Sequence, residues 1–100
     1  MLRHVVLFRF NDSYSLLQRR EIAEKAAILL NGLIEKIPEI IRIQAVALSA
    51  SDKDSYDLIL DSDFKDEIAL EVYQKHEEHL KVAEFIHQHR QFRAVADYYI

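Results

Sequence analysis

The sequence predicts an α+β fold of the split βαβ type: a four-stranded antiparallel sheet with its helices on one face. Three observations lead there. Short runs rich in β-branched and aromatic residues alternate with longer stretches of helical period, in the order strand, helix, strand, strand, helix, strand. A capping box opens the first helical stretch and a lone proline closes it. Two of the strands are apolar on both faces, more than a sheet covered on one side needs.

The elements follow in order. LRHVVLFRF, 2–10, is a strand by its aliphatic and aromatic content. After polar NDSYS, Ser15 and Gln18 form the Ser-x-x-Gln box, and Ile22, Ala26, Leu29, Leu30, Leu33 and Ile37 recur at helical spacing up to Pro38. IRIQAVAL, 41–48, is the second strand, SASDKDS, 49–55, a polar turn, and SYDLILD, 55–61, the third strand. Past Asp63 the helical period returns, with Ile68, Val72 and His76 on an inward stripe and Ala69 and Tyr73 beside it. A further helical piece over about 79–88 turns Leu80, Ala83 and Ile86 or His87 inward, and RAVADYYI, 93–100, is the last strand. With no repeat, linker or low-complexity stretch, residues 1–100 are expected to form one domain.

Alternation in the first strand puts His4, Val6, Phe8 and Phe10 on one face and Val5 and Leu7 on the other. The second strand sets Ile43, Ala45 and Ala47 against Val46 and Leu48. One set faces the helices, and the other is a bare apolar surface that needs a partner. Two copies packed sheet to sheet across a two-fold axis, as a barrel, are the simplest closed solution. The expected partner is the chain itself, through the helix-free face.

Composition removes several function classes. The net charge is −4 and the basic residues are scattered, which leaves no stripe for nucleic acid; Arg90 and Arg93 beside Phe92 read as a solvated helix end. A single glycine leaves no Gly-rich phosphate loop. No apolar run reaches the ~20 residues of a membrane span, and MLRHVVLFRF lacks the cleavage site of a secretory signal. With no cysteine, neither a disulfide nor a thiolate metal site can form. A cytoplasmic protein without nucleic-acid or membrane partners is expected.

One stretch carries the residues of chemistry: YQKHEEHL, 73–80. On an unbroken helix Tyr73, His76 and His79 share a face, and His4 projects from the sheet toward them. A neutral imidazole accepts a proton near neutral pH, and a tyrosine hydroxyl polarises a carbonyl. Polar groups converging in an apolar cavity are the composition of a small-molecule pocket. Three readings stand: catalysis, ligand binding without chemistry, and rings packed at the helix–sheet seam with one hydrogen bond each. His-Glu-Glu-His spaces its histidines three apart rather than four, so the zinc-protease pattern is not met and no metal is assigned. His87 and His89, beside Gln88 and Arg90, read as solvated.

Taken together, HVVLFRF at the start, IPEI after the first helix, SYDLIL, the Tyr73–His76–His79 turn and the closing VADYY resemble the stress-responsive dimeric α/β-barrel (Dabb) domain over the whole chain. The resemblance implies a ferredoxin-like fold, a homodimer with a central barrel, and a cavity between sheet and helices. It is similar at a distance to the family's plant cyclase that forms olivetolic acid without a cofactor, using a histidine base and a tyrosine. At those positions this sequence has His79 and Tyr73, with His76 and His4 also matching. It departs with Leu58 in place of a histidine, Leu30 in place of a tyrosine and Glu77 in place of a proline, which removes part of that polyketide pocket.

The expected function is that of a homodimer whose apolar cavity, lined by His4, Val6, Phe8, Leu30, Leu58, Tyr73, His76 and His79, binds a small organic ligand. The alternatives are a cofactor-independent cyclase, lyase or isomerase with His79 as base and Tyr73 as acid, and a purely structural stress protein. No cofactor is called for in any of them.

Overall fold

A computed structural model describes residues 1–49 and 55–100. The chain runs β1 (Leu2–Phe10), α1 (Leu16–Asn31), a 3-10 turn (Gly32–Glu35), β2 (Arg42–Ala47), β3 (Leu58–Phe64), α2 (Glu67–Lys75), α3 (Glu77–His89) and β4 (Arg90–Tyr99). The sheet is antiparallel throughout, in the order β2-β3-β1-β4. This is the expected α+β split βαβ arrangement. Most of the 49–55 turn lies outside the described residues.

The registers sort the sheet into rows. On the helix side stand Ala47–Leu58–Phe8–Arg93, then Ala45–Leu60–Val6–Val95, then Ile43–Ser62–His4–Asp97. The opposite face carries Val46–Ile59–Leu7–Ala94, then Gln44–Asp61–Val5–Ala96, then Arg42–Asp63–Arg3–Tyr98. This helix-free face is therefore not apolar throughout, as Val5, Leu7 and Val46 alone suggested. One end is aliphatic; at the other, Asp63 is clamped between Arg3 (2.9 Å) and Arg42 (2.9 Å). Those two guanidiniums hold the Asp63 carboxyl down at about 2. Leu48 falls beyond β2.

The Ser15–Gln18 capping box forms as read, each side chain bonded to the other residue's N–H. The buried face of α1 is Arg19, Ala23, Ala26, Ala27 and Leu30. Alanines let the helix lie close on the sheet, and Leu29, expected inward, is 37% exposed. The helix proper ends at Asn31, short of Pro38, and tightens into the 3-10 turn. The Asn31 side-chain amide bonds to the sheet, where it donates to the Ala45 carbonyl (3.0 Å) and accepts from the Ala45 N–H (2.8 Å). That occupies part of the free edge of β2.

Arg19 is buried because Asp57 is waiting for it. The Asp57 carboxylate accepts from Arg19 Nε (3.1 Å) and from the Phe10 N–H (2.7 Å), while its own N–H donates to the Phe8 carbonyl (2.8 Å). One acid thus ties α1 to β1 ahead of β3.

The second helical region departs most from expectation. Leu70 and Tyr73 are buried, whereas Ile68 is 75% and Val72 43% exposed. The stripe is rotated because two periodic sets coexist in this segment. Asp66, capping the Ala69 N–H (2.9 Å), and the Tyr73 ring packed on Phe64 (4.8 Å) select the Leu70–Tyr73 set. At its other end β4 starts at Arg90, three residues earlier than read, paired with Phe10 across a β-bulge.

Asp57→Ala should lower stability by about 3–5 kcal/mol, since it leaves a buried guanidinium uncompensated and the Phe10 N–H unmet. Urea denaturation is the check. Asp57→Asn, which retains hydrogen-bonding capacity, should cost less, and a loss under about 1 kcal/mol for the alanine variant would show that the tie is dispensable.

Candidate functional site

The helix layer is narrower than the sheet. α1 packs on β2 and β3, and α2 on β3. The helix-side face of β4 stays bare, with Val95 44% and Tyr99 58% exposed. Between that strip and α3 opens a cavity of about 300 Å³. Its floor is His4, Val6 and Phe8 of β1 with Arg93 of β4; Leu30 and Leu60 form the inner wall. Gln74, His79, Leu80, Ala83, Glu84, Ile86, His87 and Arg90 close the helical side.

Two imidazoles share this space. His4 is buried, and its Nδ1 lies 2.5 Å from Asp97 Oδ1, its register partner on β4. A carboxylate only accepts, so Nδ1 carries the proton. His79 is half-buried, and its Nδ1 lies 3.0 Å from the Gln74 carbonyl oxygen. That contact likewise makes Nδ1 the donor. In each ring the remaining nitrogen, Nε2, has no protein partner among the described residues. Burial pushes the His79 pKa below its usual 6.5, against the bond to Gln74, and the nearby His4 and Arg93 add to the depression. His79 is therefore a neutral base at pH 7, with its free lone pair on Nε2.

The break between α2 and α3 produces this placement. His76 is extended (φ −64°, ψ 137°), and its Nδ1 accepts from the Glu78 N–H (3.0 Å) as the N-cap of α3. The helix restarts, so His79 does not continue the Tyr73–His76 face. It folds back onto the Tyr73 ring (4.5 Å between centroids).

Of the residues expected to line the cavity, His4, Val6, Phe8, Leu30 and His79 do so; Leu58, Tyr73 and His76 lie outside the lining. Leu58 is fully buried in the core. His76 is spent as a cap. Tyr73 is 0% exposed, and burial pushes its phenol well above the usual range; its hydroxyl finds no partner among the described residues. It meets the site only through the face of His79. His87, expected to be solvated, borders the cavity and accepts from Arg90 (3.4 Å), and His89 is hydrogen-bonded to the Tyr14 hydroxyl (3.0 Å). Asp97, Arg93 and Gln74 were missed. Alternation along 93–100 does put Arg93, Val95 and Asp97 on one face, but pairing Asp97 with His4 requires the register.

Fold and cavity together define an α+β ferredoxin-like protein with a small-molecule-sized pocket at the uncovered edge of its sheet. The profile of the Stress responsive A/B Barrel Domain matches residues 2–100. The chain belongs to this Dabb family. Among curated proteins none matches the chain. Solved structures do. A dimeric protein of ferredoxin-like fold from Bacteroides fragilis is 22% identical, with a TM-score of 0.89 over 99% of this chain and 95% of its own. A dimeric ferredoxin-like protein from Thermobifida fusca is 24% identical, with a TM-score of 0.81 over 99% and 90%. The hydroxynitrile lyase of Passiflora edulis is 16% identical, with a TM-score of 0.77 over 99% and 92%. At these identities the likeness is one of fold.

Nuclear magnetic resonance of the 15N-labelled chain should show His79 as the Nδ1–H tautomer, titrating below 6.5. The neutral ring is the folded one, so its contribution to stability is complete above 6.5. It should fade as the pH falls from there through the lowered folded value. An Nε2–H tautomer at neutral pH would remove the free base from the cavity.

Proposed function

We propose that the chain acts as a homodimer, joined through the helix-free face of its sheet, and binds a small organic ligand in the cavity of each subunit. The observation that carries the ligand reading is the joint placement of His4 and His79 in one cavity, each with Nδ1 committed and Nε2 without a partner among the described residues. A space of about 300 Å³ lies at the lower end of ligand pockets, and its lining is apolar on the core side and polar or charged on the helix and β4 side. Leu30 stands on its wall and Leu58 outside it, so neither fills it, which weighs against a purely structural role.

The dimer reading rests on the row Val46–Ile59–Leu7–Ala94, an aliphatic band left open to water on a four-stranded sheet. The Bacteroides and Thermobifida relatives are described as dimeric. Face-to-face packing buries that band, and the Arg3–Asp63–Arg42 cluster enters the interface already neutralised in part by its own ion pairs. Light scattering should give a dimer at micromolar concentration. Leu7→Asp or Val46→Asp should give a monomer, because an unpaired carboxylate buried in the interface costs several kcal/mol. A monomeric parent chain would falsify this assembly.

Catalysis is the second reading, favoured by the neutral base. His79 Nε2 would take a proton from carbon next to a ligand carbonyl and return it at another atom, the core of a cofactor-independent lyase, cyclase or isomerase. Tyr73 then acts as a positioning residue behind His79 rather than as the acid. That the Passiflora relative is a lyase supports such chemistry on this fold. Exchange of α-protons for deuterium in a panel of small ketones and β-dicarbonyl compounds detects the step without knowledge of the product. His79→Ala should abolish the exchange, with a change in Tm of only a few degrees. Loss of folding with no enzyme-dependent exchange in the parent would assign His79 to packing.

A further inference from the structure

The chain has seven arginines. Arg3, Arg9, Arg19, Arg20 and Arg42 each pair with an aspartate or glutamate. Arg90 and Arg93 pair with no carboxylate among the described residues, and these two are the arginines that line the cavity. The nearest polar contact of Arg90 is His87 Nδ1, at 3.4 Å. Among the described residues the other guanidiniums are matched by acids; here two stand unmatched beside the cavity.

The rows place the backbones of the lining. Asp97 and His4 form one row, Val95 and Val6 the next, Arg93 and Phe8 the third. From His4 to Phe8 the floor runs about 13 Å at ~3.3 Å per residue. Across from it, His79 to His87 spans about 12 Å of helix at 1.5 Å per residue. His4 and His79 stand at one end, with Val6, Leu80 and Ala83 along the middle; the Arg93 backbone lies at the other end, while its guanidinium comes near enough to His79 to act on that ring. Glu84 is the one acid in the lining and forms no ion pair among the described residues. Against it stand two guanidiniums, so the arginines outnumber the acids in the lining. The Asp97 carboxylate is engaged by His4.

We infer that the ligand is an organic acid, an apolar body bearing one carboxylate, with that carboxylate held by Arg93 and Arg90. Guanidinium recognises carboxylate through paired N–H donors in a planar fork, which a neutral oxygen cannot match. The apolar middle takes an alkyl or arylalkyl segment. This inference rests on the ligand-binding reading above and adds the chemical class of the ligand and the side chains that recognise it.

The test compares 4-phenylbutyrate with 4-phenylbutyramide, which differ in charge and hardly in shape, by calorimetry on the parent chain and on Arg93→Gln, Arg93→Lys and the Arg90→Gln/Arg93→Gln double variant. The acid should bind at least about tenfold more tightly than the amide, the worth of one charge-assisted hydrogen bond. Arg93→Gln should bring the acid down to the affinity of the amide and leave the amide unchanged, and Arg93→Lys should restore part of the difference. Amide shifts of Ala83 and Val95 on titration place the probe in the cavity. Equal binding of acid and amide to the parent overturns the anion assignment and leaves the cavity reading standing. A preference that survives in the double variant overturns the assignment to these arginines. Binding of neither probe at millimolar concentration overturns both readings.

Discussion

A sheet of four strands needs a helix layer wide enough to cover it, and the two helical regions of this chain cover three. α1 spreads over β2 and β3, drawn close by Ala23, Ala26 and Ala27 and anchored by the buried Arg19–Asp57 pair. α2 and α3 cannot also reach across β4. The step between the edge of the helix layer and the edge of the sheet is the cavity. Its wall residues are therefore ordinary core residues on one side (Leu30, Leu60, Val6, Phe8) and surface residues on the other (Glu84, His87, Arg93). Such a seam lets an apolar space meet charged groups at little cost, because the charges keep access to water.

The break at His76 matters for the same reason. A continuous helix from 67 to 89 would keep one phase against the sheet throughout. Capping α3 with His76 resets that phase, so that α2 buries Leu70 and Tyr73 while α3 buries Val82 and Ile86 and still presents His79 to the cavity. The price is a tyrosine hydroxyl buried without a partner among the described residues, a cost of order 1–3 kcal/mol. The aromatic stack Phe64–Tyr73–His79, with centroids 4.8 and 4.5 Å apart, carries the rigidity that this arrangement returns.

Charge is handled differently on the two sides of the sheet. On the helix-free face Asp61 and Asp63 meet Arg3 and Arg42 within one network, so the cationic and anionic groups answer each other before any partner arrives. On the helix side, at the cavity, Asp97 is matched to His4, and Arg90 and Arg93 pair with no carboxylate among the described residues. The first pattern suits a surface that meets a copy of itself, and the second a surface that waits for a charge of opposite sign.

Sequence by itself determined the element order, the α1 capping box, the two-sided character of β1 and the candidacy of His4 and His79. These are local or periodic properties: a cap is four residues long, and alternation in a strand needs no partner to be read. The phase of α2 was not legible, because Ile68–Val72 and Leu70–Tyr73 are equally helical sets and only Phe64, brought alongside by folding, chooses between them. The His4–Asp97 pair joins residues 93 positions apart and exists only in the β1–β4 register. Arg90 and Arg93 looked like a solvated helix end. What makes them part of a site is that α3 stops short of β4, and a width mismatch between layers is a property of the packed molecule that no stretch of its sequence contains.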